Sequence, residues 1–510
     1  MNNQAITSAY FIGVGGVGMS GIALVAHKQG LRVSGSDIRE SRYTKELQDE
    51  GIEVHIGHDA HNIPDGDHTP DVVVTSTAVL DNNPELCAAK QRGIMLWHRA
   101  QMLAYVGRGL QTLAVAGTHG KTTTSSMVAT ALDEMGFDPS FLIGGMVRAY
   151  HSNAHYGTGK FYVVEADESD KSFTYLSPHG VIITNVEADH LDHYRDLNEI
   201  REKFIAFMGS VPEQDGSLVV WGDDNSLLEL AQRTNRAYVT YGEAPSCNFQ
   251  LTSFHQEGIR SHFTFKTPDG KQIEGTLPQT PGKHNALNAL SVIALLSCYG
   301  IDPAKTAAVL ANFKGVRRRF DVTGIACDVT VIDDYAHHPS EIAATIQAAS
   351  LLNYKHIHVI FQPHRYSRFG LFAHVLHDSF AHAFDKATSV TFMDVYSAGE
   401  SPIAGITGKS FMNVVASNEN HPQLYYVAHR NDLIASVLQH VEAGDLLITM
   451  GAGDVSALGP LIVEELQQRS GTSDTSDVSA ASRTLNTSQT PSTSNIPNMA
   501  KASNPSSTSA

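Results

Sequence analysis

The residues best equipped for chemistry lie in Ala114–Ser126, AVAGTHGKTTTSS. An apolar run leads into a glycine loop, and threonines then open a helix. Amides of such a loop hold phosphate oxygens, a lysine at position 121 neutralises the outer phosphates, and the Thr122 hydroxyl can ligate Mg²⁺. The usual phosphate loop places four residues between its first glycine and Gly-Lys-Ser/Thr. Here Val115 occupies that first position and the glycine comes two residues later, at Gly117, so the loop is a short one. Further on, apolar runs end in acids: Glu165 closes FYVVE, and VIITNVEADHLDHY carries His190 and His193. If these runs are neighbouring parallel strands, their C-terminal ends meet beside the loop. Thr122, Glu165 and His190 can then share Mg²⁺ around a transferring phosphoryl group.

A second glycine pattern opens the chain. IGVGGVGMSG satisfies G-x-G-x-x-G through Gly13, Gly15 and Gly18, and Asp37 follows about 20 residues later. Alone, this describes a nicotinamide dehydrogenase. The mechanics are broader, because close backbone approach and a helix N-terminus suit any pyrophosphate, including that of a UDP-sugar. Near the other end stand GVRRRFD, DDYAHHP and FQPHRYSR. Their arginines can meet phosphate or carboxylate, and His364 and Arg368 lie in a loop just past a strand, where ligand contacts concentrate.

Three α/β units position these motifs. From Ala9 to Val106, short β-branched runs alternate with helical stretches, as in a doubly wound fold. A second unit begins at TLAVAG and extends to about Phe313; a third starts near Gly315 and closes with LGPLIVEELQQR. The expected domains are therefore 1–106, 107–314 and 315–470. Residues 471–510 are rich in Ser, Thr, Asn, Pro and Ala, without an aromatic residue, and are expected to be disordered. At 510 residues the chain is too long for one core. A net charge of −17, with no Lys/Arg-rich run that would make a phosphate-tracking stripe, argues against nonspecific nucleic-acid binding. The start MNNQAITSAYFIG lacks the pattern of a signal peptide, and no apolar run reaches membrane-spanning length, so a cytoplasmic protein without membrane insertion is expected. The four scattered cysteines have neither zinc-like nor redox-like spacing.

Taken together and in this order, GVGGVGMSG, AGTHGKTTT, VVEADESD, TNVEADHLD, PGKHNALNAL, GVRRRFD, IDDYAHHP and FQPHRYSR resemble the Mur ligases, over about Ala9 to Arg469. The short GTHGKT loop is similar to that family's own phosphate loop. The resemblance implies an N-terminal Rossmann-like domain for a UDP-sugar acid, a central ATP-binding domain with a mostly parallel sheet, and a C-terminal Rossmann-like domain. It implies ATP and Mg²⁺, with UDP-N-acetylmuramate and L-alanine joined through an acyl phosphate. By resemblance, Gly117, Thr118, His119, Gly120, Lys121, Thr122 and Thr123 cradle ATP, and Glu165 and His190 sit with the metals. Asn285, Asn288, Arg319 and Asp334 are expected on the nucleotide side. Gly13, Gly15, Gly16, Gly18, Ser76, Thr77 and Arg99 would hold the UDP-sugar, with His364 and Arg368 at the alanine end. A related ligase adding a preformed peptide to the same sugar acid would carry the same motifs. A dehydrogenase would leave the second loop unused, and a phosphate-switch protein would have no need of the first domain.

Overall fold

Three sheets follow one another in the computed structural model, which describes residues 5–169, 171–189 and 194–477. The first contains β1 (Ser8–Ile12), β2 (Arg32–Asp37), β3 (Glu53–Ile56), β4 (Val72–Thr75) and β5 (Met95–His98). All are parallel, in the order β3-β2-β1-β4-β5. β1 is central and wholly buried, which is why Ala9–Ile12 reads as an unbroken apolar run. The order reverses between β1 and β4, and at such a switch point the loops leave a crevice.

The second sheet comprises β6 (Gln111–Ala116), β7 (Ser140–Val147), β8 (Ser152–His155), β9 (Phe161–Glu165), β10 (Gly180–Ile183), β11 (Ser217–Trp221), β12 (Val239–Gly242), β13 (Phe249–Glu257), β14 (Arg260–Lys266) and β15 (Gln272–Leu277). β6 lies between β9 and β10, all three parallel, with Val115 opposite Glu165 and Ala116 opposite Ile183. This adjacency is the condition under which the acids reach the glycine loop. The helices Lys121–Glu134 and Lys283–Cys298 cover one face, where Met127, Leu132, Leu290 and Ile293 pack on Val115, Ile182 and Val219. Antiparallel β14 and β15 extend the far edge. Burial in β14 alternates residue by residue, as expected of a strand with one wet face.

The third sheet is β16 (Asp321–Ala326), β17 (Val329–Asp334), β18 (Ile357–Phe361), β19 (Ser389–Phe392), β20 (Gln423–Tyr426) and β21 (Leu446–Met450). Its order is β16-β17-β21-β18-β19-β20, parallel except for β16. All three sheets belong to one compact unit, Met1–Val463. Within it, Ile22 and Met102 of the first domain share an apolar cluster with Leu142, Ala154 and Tyr162 of the second. The last helix, Leu458–Asp477, continues seven residues past the boundary expected at Ser470; residues 478–510 lie outside the described residues. No described helix is long and apolar enough to cross a membrane.

Candidate active site

The loop after β6 is shaped by two glycines that no other residue replaces cheaply. Gly117 has φ +138°, and a Cβ there would run into the Thr184 hydroxyl. Gly120, at φ +81°, is the left-handed residue that starts the helix Lys121–Glu134. Side chains at the end of β10 strap the loop in place: Thr184 Oγ1 donates to the His119 carbonyl at 2.5 Å, and the His119 amide donates to Asn185 Oδ1 at 2.9 Å. Asn288 backs the turn, its Oδ1 3.1 Å from where a Gly120 Cβ would stand, and Asn285 Oδ1 accepts from Asn288 Nδ2 at 3.3 Å. Thr123 is buried in the helix.

Lys121 folds back over its own loop. Its Nζ donates to the carbonyls of Gly117 (2.6 Å) and Thr118 (3.1 Å) and meets Glu168 Oε1 at 2.8 Å. Burial works against the ammonium, yet Glu168, Asp167 and Glu165 hold its pKa above the ordinary lysine value. Burial lifts Glu168 to about 7 against the pull of Lys121. One residue on, Thr122 Oγ1 donates to Glu165 Oε1 at 2.9 Å, and Glu165 Oε2 accepts the Gly144 amide at 2.7 Å. Thr122 and Glu165 therefore stand together, as their spacing suggests. His190 lies outside the described residues.

The third domain closes on this loop through a histidine. His119 lies 3.3 Å from Glu341 Oε1 and 3.5 Å from Glu187 Oε2, with its ring 4.5 Å from that of His338. Burial opposes its charge, but the two carboxylates raise its pKa to about 9. Burial and the adjacent His119 charge depress His338 to about 4. Burial likewise opposes charge on Glu341, and His337, His119 and Arg319 outweigh it, leaving the carboxyl well below its usual range. Glu341 also contacts Arg319 Nη1 at 3.5 Å. Its neighbour Arg318 turns into its own domain, onto Asp333 and the carbonyls of Gly451 and Gly453.

A cavity of about 760 Å³ collects side chains from all three domains. Gly18 and Arg99 reach it from the first, Thr118 to Thr122 and Glu165 from the second, and Arg319, His364 and Arg368 from the third. Arg99 Nη2 lies 3.3 Å from Asp167 Oδ2, and Arg368 Nη2 lies 3.2 Å from Asp189 Oδ1, so each arginine bridges domains. Arg368 Nη1 is buried and has no hydrogen-bond partner among the described residues. Burial and the Arg368 and Arg365 charges lower His364 to about 4.

Other expected residues stand apart from the lining. The Gly15 amide donates to Asp37 Oδ2 at 2.9 Å, while Gly13 and Gly16 shape the turn after β1. Ser76 and Thr77 occupy the turn after β4, whose Val79 lies 3.9 Å from where a Gly13 Cβ would be. Asp334 faces inward: it accepts the amides of Phe320 and Ala336, both at 2.8 Å, and burial raises it to about 6. Sequence reasoning passed over Asp167, Glu168, Glu187, Asp189 and Glu341 as individual site residues. Their signal was present in acids that follow shortly after the ends of β9 and β10, and in a glutamate three residues after the helix-capping His338.

A short Gly-Lys-Thr loop at the C-terminal edge of a parallel sheet, with flanking domains turning arginines and histidines onto it, defines a three-domain ATP-using enzyme. Models for the Mur ligase family catalytic domain, the Mur ligase middle domain and the Mur ligase glutamate ligase domain match residues 8–109, 115–296 and 318–453, and the chain belongs to the Mur ligase family. It is 42% identical over 469 residues to the UDP-N-acetylmuramate–L-alanine ligase of Thermobifida fusca, covering 90% of this chain and 96% of that one. The ligase of the same name from Syntrophotalea carbinolica is 42% identical over 464 residues, 91% and 99% of the two chains. The crystal structure of the UDP-N-acetylmuramate–alanine ligase of Thermotoga maritima superposes with a TM-score of 0.74 at 31% identity, over 91% of this chain and all of that one.

Proposed function

We propose that this enzyme joins the amine of L-alanine to the carboxylate of UDP-N-acetylmuramate at the expense of ATP, giving UDP-N-acetylmuramoyl-L-alanine, ADP and phosphate for peptidoglycan precursor synthesis. The observation that carries this reading is the convergence of three domains on one cavity, because such a ligation needs three substrates at one point. Relatives named for this activity that match nine-tenths of the chain support it.

In this assignment residues 1–106 hold the sugar nucleotide, 107–314 hold ATP and 315–470 face the amino acid. The sugar carboxylate accepts the γ-phosphoryl group, and the acyl phosphate so formed is attacked by the alanine amine with loss of phosphate. The amides of Gly117 to Thr123 cradle the phosphates, and Lys121 stabilises charge spreading over the transferring group. Asn285 and Asn288 stiffen the nucleotide side, and Arg319 reaches the phosphates from the third domain. Asp334, given by resemblance to ribose, acts in this arrangement by shaping the Phe320–Ala336 backbone. Gly18 and Arg99 meet the sugar nucleotide, with Gly13, Gly15, Gly16, Ser76 and Thr77 framing the crevice above β1 and β4. The buried Arg368 Nη1, unpartnered among the described residues, is a donor that an alanine carboxylate satisfies, beside a neutral His364.

Thr122 and Glu165 fit a magnesium ion, since both present hard oxygen donors within hydrogen-bond reach of each other beside the phosphate loop. His190 is the third residue assigned to it. The ion supplies charge neutralisation on the phosphate oxygens. Phosphate release should require Mg²⁺, UDP-N-acetylmuramate and L-alanine together. Faster turnover with a preformed tripeptide than with L-alanine would assign the chain to peptide ligation instead.

A further inference from the structure

At the opposite end of the third sheet from the active-site cavity, two imidazoles share one buried carboxylate. β18 and β21 lie side by side, Ile357 opposite Leu446, and the residues preceding them are His356 and Asp445. Asp445 is wholly buried. Its Oδ1 is 2.9 Å from His356 Nδ1 and its Oδ2 is 3.1 Å from His358 Nε2, while Oδ2 also accepts the Glu442 amide at 2.8 Å. The other nitrogen of His358, Nδ1, lies 2.8 Å from Ser389 Oγ on neighbouring β19.

We propose that His356, His358 and Asp445 form a binding site for a zinc-class dication, separate from the ligation site, that clips the starts of β18 and β21 together. Two imidazoles and a carboxylate are a zinc donor set, with water completing the tetrahedron, whereas magnesium and calcium prefer oxygen alone. The three donor atoms lie within 4.8 Å of one another. Ligands about 2.0–2.2 Å from a tetrahedral zinc stand roughly 3.3–3.6 Å apart, so small movements suffice. His356 is half-exposed and free to make them. Ser389 supplies the outer contact that zinc-ligating histidines use: when its hydroxyl accepts from Nδ1–H, the Nε2 lone pair points at Asp445 and at the ion. With the proton on Nε2 instead, the hydroxyl donates to Nδ1, so one geometry serves both the metal-free and the metal-bound protein. Burial keeps His358 below the ordinary histidine pKa and so available as a neutral ligand.

The full chain, titrated with Zn²⁺ against a chelating dye in excess Mg²⁺, should bind one ion whose anomalous-diffraction peak lies among these three side chains. His356→Ala and His358→Gln should each abolish that peak, and Ser389→Ala should weaken binding about 10- to 100-fold. Turnover with Mg-ATP should be unaffected by His356→Ala, and Zn²⁺ should raise the Tm of the parent but not of this variant. No peak at the site, or zinc affinity unchanged in His356→Ala, overturns the proposal. Since His356 is half-exposed, that variant keeps the test decisive if His358→Gln fails to fold.

Discussion

The chain carries two glycine loops, each at the turn from a central parallel strand into a helix, and they differ in what surrounds them. The loop after β1 encloses an acid: Asp37 takes the Gly15 amide, which a phosphate oxygen would otherwise accept. The loop after β6 encloses a cation, Lys121, held between its own carbonyls and Glu168, with His119 charged beside it. Backbone shape makes a place for an anion, but the side chains behind the loop decide whether a triphosphate is welcome there. The first loop suits a ligand touched at its edge, and only Gly18 of its glycines lines the common cavity.

The sharpest test of this contrast is Lys121→Ala, expected to lower kcat by about 10²- to 10³-fold, the scale of losing one preorganised electrostatic stabiliser. It also strips the counter-charge from buried Glu168, so adding Glu168→Gln should restore thermal stability without restoring turnover. Turnover recovering with stability would make Lys121 a structural ion pair.

Glu165→Gln should cost about a hundredfold in turnover with little change in Tm, and excess Mg²⁺ should partly restore it, which it should not do for Lys121→Ala. Near-parental turnover at limiting Mg²⁺ would remove Glu165 from the metal site.

Alanine at Gly117 or at Gly15 should each destabilise by about 1–3 kcal/mol, through overpacking against Thr184 or against Thr44 and Asp37. Steady-state kinetics should separate them, with the ATP KM and kcat affected at Gly117 and only the sugar-nucleotide KM at Gly15. Equal effects on both substrates would dissolve the distinction between the loops.

The His119 clasp predicts a pH dependence. A folded-state pKa of about 9 against an ordinary 6.5 gives stabilisation present in full below pH 6.5 and lost as pH rises through 9. Its size is at most about 3 kcal/mol. Melting curves of His119→Gln should lack this alkaline decline; an unchanged profile would place the titration elsewhere. The smallest effect is expected for Asp37→Asn, which retains an acceptor for the Gly15 amide and should shift stability by no more than about 0.5 kcal/mol. A large rise in the sugar-nucleotide KM alone would show that the carboxylate itself contacts that substrate.

Much of the architecture is legible in the chain because buried parallel strands are continuous apolar runs, and their punctuation by glycines and acids is local. FYVVE, VIITN and VTVIDD each read as an apolar strand running into polar residues, and β9, β10 and β17 are strands there, β10 ending at Ile183. β13 to β15 escaped notice because half of their residues face water, so their composition resembles loop. The pairing of Thr122 with Glu165 was conditional on strand adjacency, and that adjacency is not sequential: β9 inserts between β6 and β7.

What the sequence determined by itself is therefore the set of local devices: the short phosphate loop, the glycines where φ must be positive, the acids at strand ends and the three successive α/β units. Only the tertiary structure decided how these devices face one another. It set Asp37 against the Gly15 amide, tied Arg318 to Asp333 and the Gly451 and Gly453 carbonyls and Arg319 to Glu341, and enclosed His119 between Glu187 and Glu341 from separate elements. Charge and burial depend on neighbours distant in the chain: more than two hundred residues separate His119 from Glu341, and no window of sequence contains both.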